Sequence, residues 1–345
     1  MRKSIIFLSA AAMFAACSNN DVRNDIEENE VEIGFTSVQN KPTKAEITDN
    51  AALAAEGGFV VWGYKAKTAT PVVWTVDAYT VFDAVNVYSS GNGGAYISGD
   101  DTNWTYATKK YWDKNATYCF YAVAPYNPTS GATYGVTDAA NNARMITITG
   151  ATSGLASASD DHLIDRDGVK DRNGATQTNV DFDFHHVMAK VDFKLVKSSS
   201  VKGTLKVQNV TMTGWKNGAG NFTQNSATNP TTLNASEWSI SATTTGTAEV
   251  LKNADTEVTT ADTYGTNTYI MVPQVIATDA LTFTVDYTID GEPFKAHVGT
   301  ISTEQTWGTD SHTTYTLTIG PKTIEFDVNS ICGFDVNNPQ SGTIQ

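Results

Sequence analysis

A chain of 345 residues with 40% hydrophobic and 10% aromatic side chains is long enough for two packed domains of ordinary size. Its net charge of −14 excludes a nucleic-acid binder, whose phosphate contacts need clustered Lys and Arg. Charged residues make up only 17%, while Thr, Ser, Asn and Gly are abundant, which fits a secreted all-β protein better than a cytosolic helical enzyme.

The first element is the stretch MRKSIIFLSAAAMFAAC. Arg2 and Lys3 precede an apolar run from Ile5 to Ala16, and Cys17 follows. Residues 1–16 read as a signal peptide ending in Phe14-Ala15-Ala16-Cys17, close to a lipobox, in which small residues admit the peptidase and the Cys17 thiol takes the lipid. Acyl chains supply ~0.8 kcal/mol per buried methylene, so two or three would hold the chain on a membrane. Removing Arg2 and Lys3 leaves 21 basic against 37 acidic residues, and the mature charge becomes −16. Residues 17–30 are polar and acidic without apolar periodicity, and read as a flexible tether.

Val31, Ile33 and Phe35 alternate and predict a short strand, followed by a loop through Lys41, Pro42 and Lys44. Ile47–Glu56 predicts a short helix, ended by Gly57-Gly58. Strands are expected at Phe59–Tyr64, Val81–Tyr88, Trp104–Ala107 and Tyr118–Ala124, the last closed by Pro125 and Pro128. A Gly/Thr/Asn-rich connection leads to a strand at Arg144–Thr149 and a loop at Ser157–Gly174.

Asn179–Lys197 then carries two apolar phases. Phe182 and Phe184 sit at even positions, and Val187, Ala189, Val191, Phe193 and Leu195 at odd ones. A phase change inside an extended run needs a bulge or bend, placed here at His185-His186. Further strands fit Leu205–Met212, Trp238–Ser241, Tyr269–Val272, Leu281–Ile289, Phe294–Val298, Tyr315–Ile319 and Ile324–Val328. Many short strands with Gly, Asn and Pro turns predict two mostly antiparallel β-sandwich domains with few short helices, over 31–178 and 179–345.

Candidate chemistry is sparse. His185 and His186 point to opposite faces of a strand and cannot chelate one ion together; His162, His297 and His312 have no ligand spacing, so structural roles are expected. Asp165-Arg166-Asp167-Gly168 with Asp171 departs from a calcium loop in the place of its Gly and in lacking the closing Glu, and a solvated loop is expected. There is no G-x-S-x-G, no phosphate loop and no HExxH. Trp74, Trp104 and Trp112 offer rings for stacking on sugars, but core packing is the expected use. Cys119 and Cys332 allow one disulfide, although Cys119 lies in an apolar run that favours a buried thiol. No cofactor, metal or catalytic residue is implied.

Five stretches in order nevertheless carry a resemblance: WTYATKKYWDKNATYCFYAVAPYN, VDFDFHHVMAKVDFKL, LKVQNVTMTGW, YIMVPQ and YTLTIGPKTIEF. With the lipobox, they resemble the fimbrillin family, the Mfa-like lipoprotein pilins of type V pili, from Cys17 almost to the end of the chain. The resemblance implies two transthyretin-like sandwiches, a location at the outer membrane and cell surface, proteolysis there, and polymerisation by strand exchange. It also implies a role in adhesion. The family's processing site lies after such a strand, usually as Thr-Arg-Ala; here Thr43-Lys44-Ala45 stands at the matching place, with Arg23 as second candidate. The released strand is then Val31, Ile33 and Phe35. Cys332, Phe334 and Val336 share one phase and form a candidate donor strand, unless that segment finishes the chain's own sheet. Implied partners are other pilin subunits, the membrane through the lipid, and host or bacterial surface ligands. The alternative is a surface lipoprotein that does not polymerise and binds glycans or host proteins.

Overall fold

The computed structural model describes residues 31–39, 47, 49–67, 74, 78–91, 104–138, 144–165, 169–224, 235–241, 244–261, 266–321, 323–332 and 340–343. Their regular secondary structure is nearly all β-strand, as composition and turn spacing lead one to expect. The expected helix forms at Asn50–Ala55, where the Asp49 carboxylate caps the Ala52 N–H at 2.8 Å and Leu53 and Ala54 face the core.

The largest sheet runs in the order Phe35–Gln39, Val180–His186, Leu163–Asp165, Ala116–Ala124, Phe59–Lys67, Tyr79–Ser89 and Trp104–Thr105, with Val169–Asn173 also paired to Ala116–Ala124. Only its first pair is parallel. The sheet curls until its ends meet: Phe35–Gln39 touches Trp104–Thr105, and just upstream Glu32 bridges Tyr111. Inside the curl lies an aromatic core that includes Phe59, Phe82, Phe120, Phe182 and Phe184.

The opposite face of the same sheet carries Val60, Trp62, Tyr121 and Val123, and is covered by a four-stranded sheet of Trp238–Ile240, Gly220–Thr223, Arg144–Ala151 and Thr133–Asp138. Double coverage explains why Phe59–Tyr64 and Tyr118–Ala124 read as continuous apolar runs.

Most residues beyond 188 build two larger sheets around a third core, with the two-stranded pair Gln274–Ile276 and Gln305–Trp307 packed against it. One is Gln340–Thr343, Ile324–Cys332, Ser311–Ile319, Ala189–Lys197, Tyr269–Met271 and Gly154–Leu155; Ala189–Lys197 runs parallel to Ser311–Ile319. The other is Thr244–Leu251, Leu205–Asn217, Thr282–Ile289 and Glu292–Thr300, with Thr256–Val258 beside Leu205–Val207. Val191, Phe193, Phe283, Val285, Tyr315 and Leu317 interdigitate between them. The alternation over Leu281–Ile289 is thus that of a strand with one face on a core.

The run Asn179–Lys197 is two strands, and its break lies at Val187-Met188, just after the histidines. Val180, Phe182, Phe184 and His186 keep one buried phase inside the first sheet; Ala189, Val191, Phe193 and Leu195 keep the other inside the next. Elements also cross between the two ends of the chain. Gly220–Thr223 pairs with Arg144–Ala151, and Gly154–Leu155 pairs with Tyr269–Ile270.

The acidic loop differs from expectation as well. Asp161 and Asp165 are buried rather than solvated, and Leu163–Asp165 is a strand. The reason for Asp161 is neutralisation: its Oδ1 lies 2.8 Å from His186 Nδ1, and its Oδ2 accepts from Ile47 N at 3.2 Å.

Candidate functional site

The most distinctive local arrangement is the N-terminal strand in the mouth of the aromatic core. Alternation places Ile33 and Phe35 inward, at 0% and 1% exposure, whereas Val31 remains 37% exposed. Phe35 stacks on Phe182 at 5.6 Å between centroids and meets Phe82 edge-on at 5.3 Å. Each of the two inward side chains contributes ~1.5–3 kcal/mol through burial.

Both sides of the strand are bonded. Ile33 N donates to Lys110 O at 2.9 Å, Trp112 N donates to Val31 O at 3.0 Å, and Val180 N donates to Gly34 O at 2.8 Å. The Tyr106 hydroxyl donates to Ile33 O at 2.8 Å. Burial pushes that phenol up to about 12, so it remains a donor at any physiological pH. Beyond Gly34 the strand pairs in parallel register, Phe35 opposite Val180 and Thr36 opposite Asp181.

Two polar contacts fix the strand further along. Thr36 Oγ1 donates to Asp181 Oδ1 on the outer face. Ser37, 8% exposed, occupies the third inward position; its hydroxyl donates to Asn50 Oδ1 at 2.8 Å, and Asn50 Nδ2 donates to Ser37 O at 2.9 Å. The strand is therefore held by two large apolar seats, one small polar seat and one outward carboxylate.

The side chain of Ile47 is buried in the same core, and its N–H is held by Asp161. His186, on the far side of Asp161, feels burial that by itself lowers its pKa, but the carboxylate's charge and hydrogen bond outweigh it and the imidazole is raised. The neighbouring His162 bonds the Tyr134 hydroxyl at 2.8 Å and is lowered by burial to about 4. His312 pairs with Asp192 at 2.7 Å. These histidines all have structural partners. Among the described residues no group of three or more His, Cys, Asp or Glu converges on a point where a metal could sit.

Of the residues singled out by sequence, the structure brings Ile33 and Phe35 together with the aromatic groove and leaves Val31 at its rim. Cys332 ends the strand Ile324–Cys332, opposite Ser311 in the chain's own sheet. Cys17, Arg23, Lys44, Ala45, Phe334 and Val336 lie outside the described residues. Trp74, Trp104 and Trp112 are buried, as is the Cys119 thiol. Sequence reasoning missed Asn50, Asp181 and Tyr106, whose roles arise from contacts with residues distant along the chain.

A family model described as fimbrillin-like matches residues 22–332. A fimbrium subunit, Fim1C from Phocaeicola vulgatus, is 26% identical over 215 residues, covering 59% of this chain and 53% of the relative, so the match spans about half of that protein's length. Among solved structures, a candidate cell adhesion protein from Bacteroides uniformis shares 14% identity at a TM-score of 0.48, covering 88% of this chain and 99% of its own. A fimbrial assembly protein from Parabacteroides distasonis shares 10% identity at a TM-score of 0.40, covering 92% and 100%.

Proposed function

The chain belongs to the fimbrillin-like family, and on that premise we propose that it is a structural subunit of a surface pilus, assembled by exchange of its N-terminal strand for a strand of a neighbour. The observation that carries this reading is the extended segment 31–39, whose strand is Phe35–Gln39. It is the stave that closes the curled sheet, and it is bonded through Tyr106, Asn50, Asp181 and two aromatic-core positions. Withdrawing it opens an apolar groove with an unpaired strand edge on Val180–His186, the kind of surface that a new strand covers by main-chain pairing.

In this reading the chain is exported as a lipoprotein on Cys17 and held at the outer membrane. It is cut between Lys44 and Ala45, or in second place at Arg23, and joins other pilin subunits through the vacated groove. The candidate donor contains Cys332, Phe334 and Val336; since Cys332 is paired with Ser311 in its own sheet, the part that travels begins after it. Adhesion follows from the assembled fibre. The alternative of a glycan-binding lipoprotein draws no support from Trp74, Trp104 and Trp112, whose rings are buried.

Limited trypsin treatment of the purified chain, followed by sizing and unboiled gel electrophoresis, tests the reading. The expected result is cleavage after Lys44, loss of residues 31–39 from the product, and a ladder of oligomers. A nicked product that sheds its strand and stays monomeric at high concentration overturns it.

A further inference from the structure

We propose that Asn217 is a site of spontaneous covalent modification: the Gly218 nitrogen displaces ammonia from its carboxamide, and the Thr244 hydroxyl is the group that promotes the step. The product is an aspartyl or isoaspartyl residue at a crossing between two sheets.

Ring closure between a carboxamide and the next main-chain nitrogen is easiest where the following residue has no side chain. The chain holds three such pairs, Asn92-Gly93, Asn173-Gly174 and Asn217-Gly218. The first lies outside the described residues. At the second the structure opposes closure. Asn173 Oδ1 accepts from Ala175 N at 2.9 Å, and Gly174 is buried so tightly that a Cβ there would stand 2.0 Å from Asp113 O. Asn217, by contrast, is exposed at the end of the strand Leu205–Asn217. Among the described residues nothing holds its carboxamide or the Gly218 N–H.

The nucleophile is the Gly218 nitrogen after loss of its proton to solvent. Its negative charge is shared with the Asn217 carbonyl, which belongs to the same conjugated peptide unit. That carbonyl accepts the Thr244 hydroxyl at 2.6 Å, a bond that strengthens as charge builds on the oxygen. The Asn173 carbonyl accepts Thr176 Oγ1 at 2.8 Å in the same way, but the tied carboxamide keeps that ring open. At Asn217 the nitrogen bonds to Cγ, the Cγ–Nδ2 bond breaks, and the nitrogen leaves as ammonia after taking a proton from solvent. Water then opens the cyclic imide at either carbonyl, giving aspartate or its isomer with an added methylene in the main chain. Nothing is oxidised or reduced.

Residues 217–220 carry the chain from the sheet of Leu205–Asn217 to that of Gly220–Thr223. The crossing is held by Ser241, whose N–H and hydroxyl each donate to Ala219 O at 3.0 Å. A lengthened main chain there moves Ala219 off these donors, and the new carboxylate adds a negative charge. The modified chain is therefore less stable.

The test incubates the folded full chain at mildly alkaline pH and follows each site by mass mapping, with isoaspartate counted by enzymatic methylation. Asn217 converts, Asn173 keeps its amide, and the converted chain melts below an equally aged N217Q chain. T244V and T244A each slow conversion about fivefold, the worth of one hydrogen bond, and T244S restores it. Thr244 is exposed, so these variants keep the fold, which circular dichroism verifies. In urea, where the contact is lost, wild type and T244V convert alike. An Asn217 that stays an amide, or that converts no faster than Asn173 in the folded chain, overturns the site. Undiminished conversion in both folded T244V and T244A overturns the part given to the hydroxyl.

Discussion

Phe35 reaches four aromatic rings at once, those of Phe82, Tyr106, Phe120 and Phe182, so truncating it empties the centre of the groove. Phe35→Ala is expected to cost ~3–5 kcal/mol of stability and to hasten loss of the strand after nicking, checked by urea unfolding and by the rate at which the fragment ending at Lys44 separates. At the same scale, His162 and His186 titrate in opposite senses although both stand beside Asp161. His162 is held neutral by burial. As pH falls through about 6.5 the unfolded chain takes up a proton that the folded chain refuses until about 4, so stability drops across that window. His186 is raised, so its contribution is full below its unfolded value and fades as pH rises through its folded one. The difference between wild type and His162→Gln therefore isolates the first effect: between about pH 7 and about pH 4.5 the wild type loses ~2 kcal/mol more than the variant in urea titrations.

At the scale of elements, what the sequence displays is what packing on one face or two imposes. The strands at Phe59–Lys67, Ala116–Ala124 and Thr282–Ile289 were legible because their buried side chains are large. Thr244–Leu251 was not, because its inward positions are Gly246, Ala248 and Val250. They are small for a reason: a Cβ on Gly246 would come within 2.1 Å of the Trp215 ring. Thr133–Asp138, an edge strand with no fully buried side chain, shows no stripe at all. The groove was half legible. Ile33 and Phe35 declare themselves by alternation, whereas Ser37–Asn50 and Thr36–Asp181 are partnerships across 13 and 145 residues that no local pattern records. Gly214 offers a test of one element. Its φ is +120°, it lies in the irregular stretch where Leu205–Asn217 shifts register against Thr244–Leu251, and a Cβ there would meet Ala280 O at 1.9 Å. Gly214→Ala is expected to lower stability by at least ~2 kcal/mol in thermal unfolding while leaving the release of residues 31–39 after nicking unchanged.

For the whole molecule, the strand and the groove divide the chain into a part that leaves and a part that stays. Residues 31–39 hold on through Phe35, Ser37 and the Tyr106 and Asp181 contacts. Ile47 onward holds on through Asp161, the buried Ile47 side chain and the helix that presents Asn50. A cut in the intervening residues separates these two sets of contacts. The same division makes assembly controllable by a lock. Thr36 and Asp181 stand opposite each other in register, and replacing both with cysteine ties the strand to its groove when oxidised and frees it when reduced. The direct measurement is oligomer formation by the trypsin-nicked Thr36→Cys/Asp181→Cys chain, followed by unboiled gel electrophoresis with and without reductant. Strand exchange predicts ladders only after reduction, and ladders of equal extent under oxidising conditions would contradict it.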